Sequence, residues 1–198
     1  HLLGVIAHQK GEDDLAVDLI TKAITLQPNL AEAHNNLGIV QQTRSRLNDA
    51  IASYRQAVAL KPDFAQAHGN LGLALKDAGK FEDAVSCYQN ALQLKPNFVE
   101  ALCNLGDVFR QLDRSIEAVE CYQKALRYTP DYAKAYINLG LTFRDLGKLE
   151  QAISIYRKVL AFKPEYAEAH NNLGTALLDL GKPEEATQSF QKALSLNP

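Results

Sequence analysis

Between Ala67 and Ala78 the apolar residues Ala67, Leu71, Ala74, Leu75 and Ala78 recur at steps of three and four, with polar residues and glycines between them apart from Leu73. That spacing places them on one face of a helix. After Gly79 a second run, with Phe81, Ala84, Val85, Tyr88, Ala91 and Leu92, keeps the same period as far as Leu94. The pattern predicts a helix ending near Ala78, a stop at Gly79, and a second helix over about 80–94. Pro96 disfavours helical geometry at Lys95 and closes the unit. At the front, Asp63 follows a proline and stands three residues before Gln66, a spacing that predicts a capping box. Asn29 with Glu32 and Asn97 with Glu100 predict the same arrangement.

This unit recurs. Prolines stand at Pro28, Pro62, Pro96, Pro130, Pro164 and Pro198, each 34 residues after the last. A Leu-Gly pair keeps the same step, as Leu3-Gly4, Leu37-Gly38, Leu71-Gly72, Leu105-Gly106, Leu139-Gly140 and Leu173-Gly174. So do Ala16, Ala50, Ala84, Ala118, Ala152 and Ala186, and so do the large residues Ile20, Tyr54, Tyr88, Tyr122, Tyr156 and Phe190 four positions later. Small residues at fixed positions mark close helix contacts, where a larger side chain would overpack at about 1–3 kcal/mol. A lone helix pair cannot bury both its faces, so the repeats must stack. Ser45 and Asp113 replace the turn glycine in two repeats, which predicts less regular helix ends there.

With the Leu-Gly pair as repeat positions 7 and 8, the proline is position 32. Period and markers together resemble the tetratricopeptide-repeat (TPR) family over the whole chain. The resemblance implies an all-α, right-handed superhelical solenoid of helix-turn-helix units. The expected organisation is a single array over 1–198, with repeats 1–30 (truncated), 31–64, 65–98, 99–132, 133–166 and 167–198. The chain opens inside a helix and closes on the proline marker, so it reads as a segment of a longer array. Its two ends are candidates for stacking on each other between molecules.

In the first helix of each repeat, positions 3, 7, 10 and 14 form the core face. Positions 2, 6, 9 and 13 lie together on a different face. TPR resemblance implies that this second face lines an inner groove. Position 6 holds Asn36, Asn70, Asn104, Asn138 and Asn172. Asn within a helix costs about 0.5–0.7 kcal/mol relative to Ala. An amide that both donates and accepts matches a peptide bond, so these five are candidates for gripping an extended peptide backbone. The competing account is that the amides brace neighbouring helices. The asparagine line, with the text Ala-Glu-Ala-His-Asn-Asn-Leu-Gly at 31–38 and 167–174, is similar to the TPR arm of O-GlcNAc transferases. In that family an acidic residue four positions earlier adds a second line. Here that position reads Glu32, Gln66, Glu100, Lys134 and Glu168, so the line is broken, and the capping box is the favoured role. Lys76, Arg110 and Arg144 share position 12 and form a candidate basic stripe. Asp77, Asp145 and Asp179 follow directly and partly cancel it, which favours a solvated or ion-paired face.

The chain is 46% hydrophobic and 22% charged, with a formal net charge of −2. That balance offers no general attraction to nucleic acid or acidic membranes, and no apolar run approaches the ~18 residues of a membrane span. Three cysteines do not suggest a disulfide framework, and thiols fit a cytoplasmic setting. His34, His68 and His170 share position 4, where stacked repeats hold them too far apart for one metal ion. No cofactor is expected. The carboxylate clamp of chaperone-binding TPRs needs Lys at position 5 and Asn at position 9 of its first repeat, and the pattern is absent. The predicted function is a protein-interaction scaffold binding an extended peptide or partner protein, without catalysis of its own. The alternative is the substrate-recruiting arm of a larger O-GlcNAc transferase-like enzyme.

Overall fold

Each predicted pair of apolar stripes becomes two helices joined by a three-residue turn in the computed structural model, which describes residues 1–197. The elements are α1 (Leu2–Gln9), α2 (Asp13–Leu26), α3 (Ala31–Thr43), α4 (Leu47–Leu60), α5 (Ala65–Asp77) and α6 (Phe81–Leu94). There follow α7 (Val99–Gln111), α8 (Ser115–Tyr128), α9 (Ala133–Asp145), α10 (Leu149–Phe162), α11 (Ala167–Asp179) and α12 (Pro183–Leu196). No strand occurs among the described residues. Pro198, the sixth proline marker and the close of the last repeat, lies outside them.

The helices group into two compact units, His1–Ala101 and Leu102 onward. In the first, each helix from α1 to α6 packs on the next, and α3 also touches α5. In the second, each helix from α8 to α12 packs on the next, and α9 also touches α11. The marker residues make these contacts. Ala50, Ala84, Ala118 and Ala152 are fully buried, as are Tyr88, Tyr122 and Tyr156. Each large residue lies over the glycine of its own repeat. A Cβ built on Gly38 or Gly106 would fall 2.6 Å from the ring of Tyr54 or Tyr122. A glycine within a helix costs about 0.5–1 kcal/mol, and here it makes room for an aromatic ring whose burial contributes more.

The capping boxes do not form. Helix α5 starts at Ala65 with Phe64 at its N-cap, α3 starts after Leu30, and neither has a side-chain cap hydrogen bond. Asp63 and Asn29 lie one residue outside the cap position, and Asn97 lies two residues before the start of α7. An apolar residue takes the cap position because its side chain is used for packing. The Phe98 ring closes over Gly69, and Lys61, Lys95 and Lys163 lie 5.0–5.1 Å from the ring centres of Phe64, Phe98 and Tyr166.

The expected irregularity at Ser45 and Asp113 is also absent. Both adopt the left-handed conformation, with φ of 59° and 57°, as Gly11, Gly79, Gly147 and Gly181 do. The following residue then donates back across the turn, Arg46 to Gln41 at 2.9 Å and Arg114 to Phe109 at 2.8 Å, as Lys80 does to Leu75 at 2.9 Å. That bond is the signature of a Schellman motif. Packing of the two helices imposes the turn, and the side chain accepts the strain.

Candidate functional site

The five position-6 asparagines stand one each on α3, α5, α7, α9 and α11, and all are half-buried. Their surroundings divide them. The Asn70 amide donates to Oδ1 of Asn35 at 2.9 Å, reaching from α5 to the first helix of the preceding repeat. Its own Oδ1 accepts from Gln66 Nε2 at 3.2 Å. In the second unit, Asn138 donates to Oδ1 of Asp107 at 2.7 Å, again one repeat back. Asn36, Asn104 and Asn172 make no side-chain hydrogen bond among the described residues. Two rungs therefore brace adjoining first helices, and three keep both amide functions available.

The stripe at position 12 follows the same logic. Arg110 donates to Asp145 at 2.7 Å, and Arg144 approaches Asp179 at 3.9 Å. Gln42, at the same position, donates to Asp77 at 3.1 Å. Each link runs from position 12 of one repeat to position 13 of the next. The two arginines are thus turned along the stack and neutralised, whereas Lys76 has no ion pair among the described residues. These partly exposed pairs contribute at most about 1 kcal/mol each.

Glu32, assigned to a capping box, instead accepts from Lys61 at 2.8 Å. That hydrogen bond holds its carboxyl below the usual range. Gln66 is bonded to Asn70 rather than to the helix start. The position-4 histidines each place Nε2 2.9 Å from the carbonyl of the proline six residues earlier, His34 on Pro28, His68 on Pro62 and His170 on Pro164. No group of three His, Cys, Asp or Glu side chains that could hold a metal ion occurs among the described residues. All three cysteines are thiols, and no helix among the described residues is long and apolar enough to cross a membrane.

Sequence reasoning missed two residues. Asn35 is 4% exposed and receives the Asn70 amide. Asp107 accepts from both Tyr122 and Asn138. The signal for Asp107 was present: it is the one acid at position 9, where the other repeats carry Val5, Ile39, Leu73, Leu141 and Thr175.

Family comparisons agree with this geometry. Models described as tetratricopeptide repeat match residues 1–30, 97–165 and 167–198, and a TPR-repeat model matches 43–79 and 72–113. The chain belongs to the tetratricopeptide-repeat family. No curated protein matches it. Among solved structures this TPR chain is similar to MamA, at 28% identity and a TM-score of 0.75, covering 81% of this chain and 94% of that one. PilF of Pseudomonas aeruginosa is 23% identical with a TM-score of 0.84, covering 100% and 90%. YrrB, described as a TPR protein with an unusual peptide-binding site, is 23% identical with a TM-score of 0.73, covering 90% and 92%. PilF and YrrB establish the all-α TPR solenoid fold alone.

Proposed function

We propose that this TPR chain is a protein-interaction scaffold whose position-6 face grips an extended segment of a partner protein. The observation that carries the reading is one half-buried asparagine in each of five repeats, with three of those amides making no side-chain hydrogen bond among the described residues. Within either unit, neighbouring helices pack about 8–10 Å apart and an extended chain advances about 3.3 Å per residue, so position 6 recurs at about every third ligand residue, and Asn104 and Asn172, two repeats apart in the second unit, meet the backbone at about every sixth. An amide rung accepts from a backbone N–H and donates to a backbone carbonyl, which favours breadth over sequence preference. Asn70 and Asn138 hold the first helices in line, while Asn36, Asn104 and Asn172 do the gripping. Lys76 adds a cation at the edge. Arg110 and Arg144 add little, because Asp145 and Asp179 already engage them. The peptide-binding site named for YrrB is consistent with this use of the fold.

The test separates gripping from bracing. A phage-displayed random peptide library is selected on the protein, and the recovered peptides are measured by fluorescence anisotropy. Changing Asn36, Asn104 and Asn172 together to Ala is expected to abolish binding while leaving the thermal midpoint unchanged or slightly raised, since Ala is the better helix former. Undiminished binding by the triple variant, or a library that yields no binders, refutes the proposal.

The same asparagine line supports a narrower reading, in which the array is the substrate-recruiting arm of an O-GlcNAc transferase-like enzyme. Its test is whether the gene encodes a glycosyltransferase domain beyond residue 198.

A further inference from the structure

We propose that a recess between α1 and α3 is a specificity pocket, which admits one small aliphatic side chain, alanine or valine, of the partner segment held at Asn36. The pocket presupposes the gripping role of Asn36 proposed above. It originates in a substitution at repeat position 24. Tyr54, Tyr88, Tyr122 and Tyr156 hold that position, whereas the first repeat has Ile20. Ile20 fills the start of the space a ring would take. It is fully buried, and a Cβ built on Gly4 would fall 2.5 Å from its Cγ1. It stops short where the rings continue. Two tyrosine hydroxyls reach the first helix of their own repeat, Tyr54 donating to Gln42 at position 12 and Tyr122 to Asp107 at position 9. In the first repeat those two positions are His8 and Val5. Beside them opens a recess of about 40 Å³, lined by Val5, His8, Ile20, Asn36, Ile39 and Val40.

The recess lies within the first unit and stays open because its joint lacks the braces of the next one. Between α3 and α5, Asn70 donates to Asn35 at 2.9 Å and Gln42 to Asp77 at 3.1 Å. Between α1 and α3 the corresponding groups turn elsewhere. His8 pairs with Asp13 at 2.6 Å, and Thr43 donates to the carbonyl of Ile39 on its own helix at 3.1 Å. Val5 is half-buried, as Ile39 and Leu73 are at the same position of the next two repeats. The lining is aliphatic apart from His8 and Asn36, and the buried Ile20 and Val40 form its floor. Such a surface holds water poorly, so an apolar group that displaces the water gains affinity. With a volume near the ~30 Å³ share of one water, the recess takes a methyl group or the branched end of valine and excludes longer side chains and rings. Asn36 lines the same recess, so an extended backbone bonded to its amide carries one side chain over the opening.

A double-mutant cycle between protein and peptide tests the pocket. The random peptide library is selected on the wild type, and the recovered peptides are assayed by fluorescence anisotropy against the wild type and Ile20→Tyr. In that variant the ring should lie over Gly4, as Tyr54 lies over Gly38, and close the recess. The recovered peptides are expected to share alanine or valine at one position. Changing a valine there to glycine should weaken wild-type binding about tenfold. Ile20→Tyr should weaken binding of the parent peptide by a similar factor, and the two changes together should cost no more than either alone. Circular dichroism checks the fold of the variant. Val5→Phe, which covers the recess from its half-buried wall, replaces it if the fold is lost. Fully additive losses, or peptides with no shared small residue, overturn the pocket. The gripping role survives either result if the triple asparagine variant still loses binding. A wild type that recovers no peptide overturns both.

Discussion

Tyr122 donates its phenol proton to Oδ1 of Asp107 at 2.7 Å, whereas the same hydroxyl on Tyr156, one repeat later, is buried with no hydrogen-bond partner among the described residues. The rings hold the same repeat position, each fully buried over a helix glycine. The difference lies at position 9, which is Asp107 in one repeat and Leu141 in the next. Tyr54 solves the same problem with a third partner, donating to Gln42 at 3.1 Å. The ring position is conformationally equivalent in all these repeats, and the fate of its hydroxyl is set locally.

Removing the two hydroxyls should therefore have opposite effects. Tyr122→Phe takes a donor from a carboxylate and is expected to destabilise by about 1.5–3 kcal/mol. Tyr156→Phe removes a buried hydroxyl that no group satisfies, and it is expected to be neutral or to stabilise by about 1 kcal/mol. Phe190 already provides the sixth repeat with that solution. Urea unfolding of both variants checks the contrast. A Tyr156→Phe loss as large as that of Tyr122→Phe would contradict it.

The architecture was legible in the sequence because stacking forces every repeat to satisfy the same steric rule at the same position. Gly72 and Tyr88 recur in register since a Cβ on that glycine would collide with that ring, 2.9 Å from its nearest carbon. The second-helix bounds followed to within one residue for the same reason. Helix starts were misread, because Asp63 and Asn29 have the chemistry of a cap but not its place. Packing demanded Phe64 and Leu30 there instead. The candidate site was legible only as a list of positions. That Asn70 reaches back to Asn35 while Asn36 has no hydrogen-bond partner among the described residues depends on what one repeat sets opposite the next, and periodicity within a repeat does not contain that.

The two turns held by Ser45 and Asp113 are places where glycine should improve the protein. Both side chains sit at positive φ, which costs an ordinary L-residue about 1–2 kcal/mol and Asp somewhat less. Glycine removes that strain but gives back part of it as entropy of the unfolded chain, about 0.5–1 kcal/mol. Ser45→Gly is expected to stabilise by about 0.5–1 kcal/mol, and Asp113→Gly by less. Differential scanning calorimetry should show a higher midpoint for Ser45→Gly. An unchanged or lower midpoint would mean the strain is relieved elsewhere.

At Gly106 two effects oppose each other and their sizes decide the outcome. Alanine gains up to about 1 kcal/mol in helix propensity. Its Cβ would lie 2.6 Å from Cε1 of Tyr122, and the buried ring has little room to retreat, so overpacking costs about 1–3 kcal/mol. The net expectation for Gly106→Ala is a loss of about 1–2 kcal/mol in denaturant unfolding. Gly69→Ala meets Phe98 at 2.9 Å, beside a turn rather than across a helix pair, and should lose less.

Burial pushes the Cys87 thiol up to about 11 and the Cys121 thiol up to about 12, with Asp83 and Glu120 adding to the respective shifts. In the unfolded chain both return to about 9, so above that pH the unfolded state releases protons that the folded state keeps. Their contribution is complete below pH 9 and is lost as pH rises toward 11 and 12. The slope approaches about 1.4 kcal/mol per pH unit for each thiol. Stability measured by urea unfolding should therefore fall between pH 9 and 10, ahead of the tyrosines, and Cys87→Ala with Cys121→Ala should flatten that fall. The same burial keeps the thiolate fraction low at pH 8, so iodoacetamide should alkylate Cys87 in the folded protein about a hundredfold more slowly than in urea. Equal alkylation rates in the two states would mean that the helix pair around Cys87 opens faster than the reagent reacts.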